Sequence, residues 1–407
     1  MTHSVQPGLQ QNWKQFWLLV FINALVGGTL GLERTILPEL AAKEFQLHAN
    51  SLVFSFIIVF GLFKAVTNYF TGALANRYGR KKLLVAGWLL GLPVPFILLF
   101  APNWYWVVGA NILLGIHQGL TWSSTVVMKI DLVGDKERGL AMGLNEFAGY
   151  ATLGGVAYAT SWLAANYGLR PYPFILGIVF VVVGTLLSWL LVKETNSFVQ
   201  QQATNNSGLP ILNNLFKQTS WLHKNLGTVT LAGLVNNLND AMIWGLMPVL
   251  LTSKGFSLQQ VGIIAATYPM VWGLGQLVTG RLADLYCKKR LLFGGMMLQS
   301  VAIVFLLLAN SFMHYLLLAM VLGIGTAIVY PTFLSAIAEN IHPQQRAASL
   351  GIFRFWRDFG YVIGAVLTGV LTDWLGWRFA VLLIGSLTIA ASLLIHYRMY
   401  CKTTAMS

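Results

Sequence analysis

Charged and amide side chains set inside long apolar stretches are where this chain can do chemistry. Asp240 stands beyond the midpoint of the apolar segment 226–251, with Asn236, Asn237 and Asn239 beside it. An ionisable group in hydrocarbon costs several kcal/mol unless it is paired or wetted, so its presence needs a reason. A carboxylate there can take up and release a proton, contact a substrate, or serve as a hydrogen-bond partner between helices. Glu146 lies about eight residues into the segment 139–165, and Arg354 stands at the matching depth of 346–372. Arg354 and Asp358, four apart on one helix face, can pair. Arg357 is then left to meet an anion or another acid, so the cluster reads as a coupling site or as a buried ion network.

Three further groups stand inside the apolar segments. Glu33 and Arg34 stand near the far end of the first segment and can act on substrate, pair with each other or meet a loop. His117, near the middle of 104–128, titrates near neutral pH and can relay protons, or can simply pack between helices. Lys64, in the segment 50–71, can snorkel toward the cytoplasm. No nucleophile–base pair or metal-ligand spacing is present, so neither an enzyme nor a bound metal or other cofactor is expected. No Gly-x4-Gly-Lys-Ser/Thr loop is present to suggest drive by ATP.

The elements that hold these residues follow from composition. Hydrophobic residues make up 56% of the 407 residues and charged ones 10%, against roughly 25% charged in soluble domains. Apolar residues come in blocks of about 20, enough to cross a hydrocarbon core as helices. Twelve spans are read at 16–37, 50–71, 83–101, 104–128, 139–165, 172–192, 226–251, 261–281, 291–309, 313–336, 346–372 and 377–397. A polar connection containing Gln-Gln-Ala-Thr-Asn-Asn-Ser-Gly reads as a flexible linker and divides the chain into 1–192, 193–225 and 226–407. The fold class expected is an all-α membrane protein of two six-helix bundles.

The net charge of +13 sits mostly in short loops on one side, including Arg77 to Lys82, Lys129 to Arg138 and Lys288 to Arg290. That bias places both termini in the cytoplasm and argues against nucleic acid as a partner. Cys287 and Cys401 give no argument for a disulfide or a metal site. Trp13, Trp17, Trp104 and Trp106 near span ends suit interfacial anchors, and Gly27-Gly28 and Gly154-Gly155 suit close helix packing.

The chain repeats itself. Gly72-Ala73-Leu74-Ala75-Asn76-Arg77-Tyr78-Gly79-Arg80-Lys81-Lys82 recurs 208 positions later, from Gly280 to Arg290. At the same offset Asp131 faces Glu339, Arg138 faces Arg346 and Gly143 faces Gly351. Two halves of equal span number and orientation are parallel repeats, a transporter architecture.

The doubled turn resembles the signature Gly-x-Leu-Ala-Asp-Arg-x-Gly-Arg-Lys-Lys of the major facilitator superfamily, and the resemblance extends over essentially the whole chain. Leu30-Gly31 with Pro38, and Asp131 to Gly143, are similar to motifs of its drug and metabolite proton antiporters. Two departures stand out: Tyr150-Ala151 where Gly-Pro precedes the Gly154-Gly155 pair, and no arginine within span four. The resemblance implies a monomeric secondary transporter of the inner membrane that moves a small molecule by alternating access, with proton-coupled efflux favoured. Proton symport or facilitated uptake is the alternative on the same fold, and a non-transporting membrane sensor is a second. It further implies cytoplasmic latches built from Gly72, Asn76, Arg77, Gly79 and Arg80 with Asp131 and Arg138, and from Gly280 and Asp284 with Glu339 and Arg346. Arg77 is expected to pair with Asp131, and Asn76, in place of an aspartate, to cap a helix without adding charge.

Overall fold

The computed structural model describes residues 8–47, 49–133, 138–198 and 211–401, and among these all regular structure is helical. Twelve long helical spans follow one another. Span one is Trp13–Gly31 continued by Glu33–Lys43, span two Asn50–Val53 and Ser55–Tyr78, and span three Arg80–Gly91 and Val94–Phe100. Spans four to six are Trp104–Val133, Arg138–Tyr167 and Tyr172–Leu190. The second bundle holds Lys224–Ser253, Leu258–Leu285, Lys288–Phe305, Phe312–Asn340, Pro343–Leu375 and Trp377–Arg398 as spans seven to twelve. The end of the molecule that carries the repeated basic turns is called the basic face below.

Eight of the described spans are long and apolar enough to cross a membrane on those grounds alone. Spans four, five, seven and eleven are as long but less apolar, because they hold most of the inward polar groups. Asn145, Asn236, Asn237, Gln118 and Thr125 are all fully buried there. A polar side chain that meets another polar side chain inside the bundle need not face lipid, so these helices can occupy the centre while the apolar spans face the hydrocarbon. Lys129 belongs to this group and not to a loop as the charge pattern suggested. It is buried in span four, and its Nζ donates to the Leu19 carbonyl at 3.1 Å.

Close approach of backbones sets which spans touch. A Cβ on Gly27 would run into the Gly149 carbonyl, so spans one and five pack backbone to backbone. Gly154 lies likewise against Ala266 and Met270 of span eight, across the boundary between the two bundles. Its neighbour Gly155 faces open space and takes no part in that contact.

Two features differ from the sequence expectations. Part of the polar connection is ordered: residues 211–223 include a helical turn and a π-helical turn at Gln218–Leu222. Thr230 donates to the Thr219 carbonyl at 2.8 Å, and the Thr219 and Ser349 hydroxyls bond at 2.9 Å, which holds this piece to the second bundle. Residues 199–210, which carry most of the polar tract, lie outside the described residues. Cys287, before span nine, and Cys401, after span twelve, form a disulfide with a Cα–Cα distance of 5.7 Å. Spacing in the chain gave no hint of it, because the pairing comes from spans nine and twelve being neighbours.

Gly27→Leu, which forces spans one and five apart, is expected to cost about 1–3 kcal/mol and to lower Tm in detergent by several degrees. Gly155→Leu should leave Tm nearly unchanged, and equal behaviour of the two variants would contradict the packing described.

Candidate functional site

Asp358, buried in span eleven, is the hub of the centre. Its carboxylate lies 3.5 Å from Lys64 Nζ and 3.7 Å from Arg357 Nη1. It also accepts from the side-chain amides of Asn68 and Asn237, the latter at 3.2 Å. Asn68 Oδ1 accepts from the Ser123 hydroxyl at 2.7 Å, and Ser123 Oγ accepts from Arg354 Nη1 at 3.0 Å. The chain of contacts therefore crosses between bundles at both Asp358 and Arg354. Arg354 does not pair with Asp358 as its spacing suggested: it reaches across to span four, and Lys64 of span two takes a place beside the acid. Lys64 is accordingly buried and does not snorkel.

Asp240 accepts a hydrogen bond from the Tyr268 hydroxyl, which also lies 3.2 Å from Thr326 Oγ1. The second carboxylate oxygen of Asp240 is buried without a hydrogen-bond partner. The three flanking asparagines divide. Asn237 faces the Asp358 hub, whereas Asn236 and Asn239 turn into the second bundle. Gln299 of span nine donates to Asn236 at 3.0 Å and accepts from Asn239 at 3.0 Å, while Thr388 donates to Asn239 at 2.7 Å. Asn236 thus ties spans seven and nine together.

Glu146 accepts from Trp122 Nε1 at 3.2 Å and from Asn145 Nδ2 at 2.8 Å, and its other oxygen has no hydrogen-bond partner. Beside it, Tyr150 of span five stacks on Trp272 of span eight at 3.6 Å between ring centroids. Arg357 lies over Tyr330 at 4.4 Å. Aromatic faces and cations attract, and this packing closes the centre around the charged groups.

Glu33 and Arg34 diverge. Glu33 lines a small cavity inside the first bundle together with His117 and Thr29. Arg34 points the other way, its guanidinium 3.5 Å over the Trp244 ring of span seven. They do not neutralise each other by a salt bridge. Consecutive positions on a helix lie about 100° apart, so the two side chains leave the helix in different directions. His117 is engaged in packing: Nδ1 lies 2.9 Å from the Gly87 carbonyl, Nε2 3.4 Å from Thr29 Oγ1, and the ring meets Trp88 edge-on.

The basic turns hold a salt bridge in each half, at equivalent positions. Arg80 Nε lies 2.7 Å from Asp131, and Lys288 Nζ lies 3.6 Å from Glu339. The offset of 208 maps Arg80 onto Lys288 and Asp131 onto Glu339. Asp131 therefore meets Arg80 where Arg77 was expected; Arg77 is exposed, over the ring of Tyr78. Gly79, at φ +92°, makes the turn that places Arg80 at the start of span three. Each bridge joins spans of a single bundle, so neither links the two halves. Glu194 accepts from the backbone N–H groups of Arg80 and Lys81, both at 3.1 Å, and so caps span three. Thr195 donates to Asp131 at 2.8 Å. Arg346 donates to the Ala338 carbonyl at 3.4 Å. Gly280 opens the second turn near the end of span eight. Gly72 lies within the helix of span two, and the side chains of Asn76, Arg138 and Asp284 lie outside what the structure describes.

Further polar links between the bundles lie at the face opposite the basic one. Asp373, at the end of span eleven, accepts from the backbone N–H groups of Asn50 and Ser51 at 2.8 and 2.9 Å. A carboxylate at the N-terminus of span two is favourably placed toward the helix dipole. Thr252 donates to Glu39 at 2.8 Å. Lys64, Asn68, Ser123, Tyr268, Glu194 and Asp373 complete the site and its clasps. Most are uncharged or close to span ends, where sequence alone gives no reason to single them out.

Removing the Asp358 carboxylate leaves Lys64 and Arg357 buried without their counter-ion. Asp358→Ala should cost about 3–5 kcal/mol, read as a large fall in Tm, whereas Lys64→Met, which removes one of two cations, should cost clearly less. Equal losses would mean that Asp358 is not the hub.

The family model described as Major Facilitator Superfamily matches residues 16–224 and 229–401. The chain is 24% identical over 378 residues to the proton-coupled antiporter flippase LtaA of Staphylococcus haemolyticus, spanning 90% of this chain and 88% of that protein. It is 25% identical over 398 residues to the multidrug resistance protein MdtG of a Rahnella species, spanning 93% and 92%. Among solved structures, the human organic anion transporter MFSD10 (TETRAN) shares the fold. Its TM-score is 0.70 at 14% identity, covering 96% of this chain and 100% of that one. With its doubled turns and two bundles of six spans, the chain belongs to the Major Facilitator Superfamily, as a membrane transporter and not an enzyme.

Proposed function

We propose that the protein is a proton-coupled antiporter that exports a small molecule by alternating access. It does so as a monomer in the inner membrane, with its basic face and both termini in the cytoplasm. Residues 1–192 and 226–407 rock against each other about the connection at 193–225. The observation that carries the reading is a pair of buried carboxylates, Asp240 and Glu146, each with one oxygen lacking a hydrogen-bond partner. A proton on either changes the charge balance against Arg354, Arg357 and Lys64, which lie on both sides of the boundary. Such a change shifts the population of two states only if the proton binds them with different affinity, and a site built from both halves provides for that. The relatives named as a proton-coupled antiporter and as a multidrug resistance protein support exchange and export. The Arg80–Asp131 and Lys288–Glu339 bridges act within this scheme as braces that keep each half rigid while it moves.

The test is proton movement in proteoliposomes that hold a pH-sensitive dye, started by a compound chosen for raising the Tm of the purified protein. Asp240→Asn is expected to bring proton flux down to the protein-free baseline while the compound still raises Tm. Unchanged flux would remove Asp240 from coupling, and absence of compound-driven flux in the unaltered protein would remove antiport.

A further inference from the structure

The two bundles tie down their basic ends in different ways. In the first, the chain leaving span six grips the start of span three. Glu194 accepts from the Arg80 and Lys81 N–H groups, and Thr195 donates to Asp131. The offset of 208 carries Gly79 onto Cys287 and Lys193 onto Cys401. The second bundle therefore makes the same join, between the chain leaving span twelve and the start of span nine, with a disulfide in place of the carboxylate cap. No side chain caps span nine. The neighbouring bridge is also looser. Lys288 and Glu339 are 3.6 Å apart with side chains 20% and 30% exposed, against 2.7 Å, 7% and 9% for Arg80 and Asp131. Two further contacts anchor the end of span twelve. The Asn225 side chain bonds the N–H and carbonyl of Tyr400 at 3.1 and 3.3 Å, and Arg398 donates to the Trp221 carbonyl. They hold Cys401 near Cys287 without help from the S–S bond, as a bond that opens and re-forms requires.

Cys401 is exposed and Cys287 half-buried, so a dissolved thiol can reach the pair. Cys287 stands at the N-terminus of span nine and is followed by Lys288, Lys289 and Arg290. The positive end of the helix and these cations favour negative charge on its sulfur, which makes it the better leaving group. Exposed disulfides are the ones that thiols open, and in a reducing cytoplasm such bonds serve as redox sensors. We propose that Cys287 and Cys401 form a reversible redox site. It exchanges with low-molecular-weight thiols of the cytoplasm and so sets how firmly the start of span nine is held. It rests on the transporter reading only for the placement of the basic face in the cytoplasm. A thiolate of the glutathione type attacks Cys401 Sγ, forming a mixed disulfide, and Cys287 leaves as a thiolate. A second thiolate attacks the glutathione sulfur, forming oxidised glutathione and releasing Cys401. Two electrons pass from two glutathiones to the protein, and their two thiol protons end on Cys287 and Cys401. The reverse sequence re-forms the bond.

The experiment uses the full chain in phosphatidylcholine nanodiscs, equilibrated with mixtures of reduced and oxidised glutathione. Free thiols are counted by mass spectrometry after maleimide quenching, and hydrogen exchange is followed over residues 288–292. Two thiols should appear together in excess reduced glutathione and vanish in excess oxidised glutathione, without denaturant. Amide exchange at 288–292 should be about tenfold faster in the reduced form. Cys401→Ser should show the fast rate in both mixtures, with Cys287→Ser replacing it if the first variant does not retain its Tm. A bond that opens only in denaturant, a bond that does not re-form, or equal exchange in the two forms would each overturn the proposal. So would labelling of the reduced cysteines by a membrane-impermeant maleimide in intact cells, since that places them outside. None of these readouts uses transport, so antiport can fail while the redox site stands, or hold while the site fails.

Discussion

The buried carboxylate of Asp358, facing Lys64 and Arg357, is the interaction on which the rest of the arrangement depends. Charges in the middle of a hydrocarbon layer persist only where partners are close and geometry is held, and here the partners come from both bundles. That requirement places spans two and eleven against each other and brings Asn68, Asn237, Ser123 and Arg354 into one network. It also accounts for the segregation of the helices. The spans rich in amides and charges meet at the centre, and the apolar ones are left to face lipid.

In the proposed cycle the same interaction would permit movement. A proton gained or lost at a nearby carboxylate would change the balance of a network with one acid between two cations, and both bundles would feel the change together. Polar links between the bundles at Asp373 and Glu39 lie on the face away from the basic turns. The repeated bridges lie within single bundles instead, so in the proposed cycle the contacts that break would differ from those that persist. The Cys287–Cys401 disulfide belongs to the second class, since it joins two spans of one bundle.

Much of this was legible in the sequence, for definable reasons. The constant offset of 208 announced two equivalent halves, and it also relates Arg80–Asp131 to Lys288–Glu339. The arginine was misassigned because Arg77 ends one helix and points outward, while the turn at Gly79 brings Arg80 inward. Asp240, Glu146 and Asp358 stood out as charges in apolar surroundings. Their partners did not: helical spacing says which residues share a face, not which helix that face meets. Arg354 and Asp358 share spacing but reach separate partners on the first bundle. Glu33 and Arg34, adjacent in sequence, turn toward different bundles, and Tyr268 and Gln299 carry no charge to draw attention to them.

Asp358 holds the two bundles together by neutralising cations from both. Tyr105 and Trp374, 85% and 82% exposed, lie at the ends of spans four and eleven away from the basic face. Spin labels at these positions allow the distance between bundles to be measured by pulsed electron resonance. In Asp358→Asn, where Lys64 and Arg357 confront each other without their counter-ion, the distribution should move to longer distances relative to the unaltered protein. An unchanged distribution in a folded Asp358→Asn protein would contradict the account.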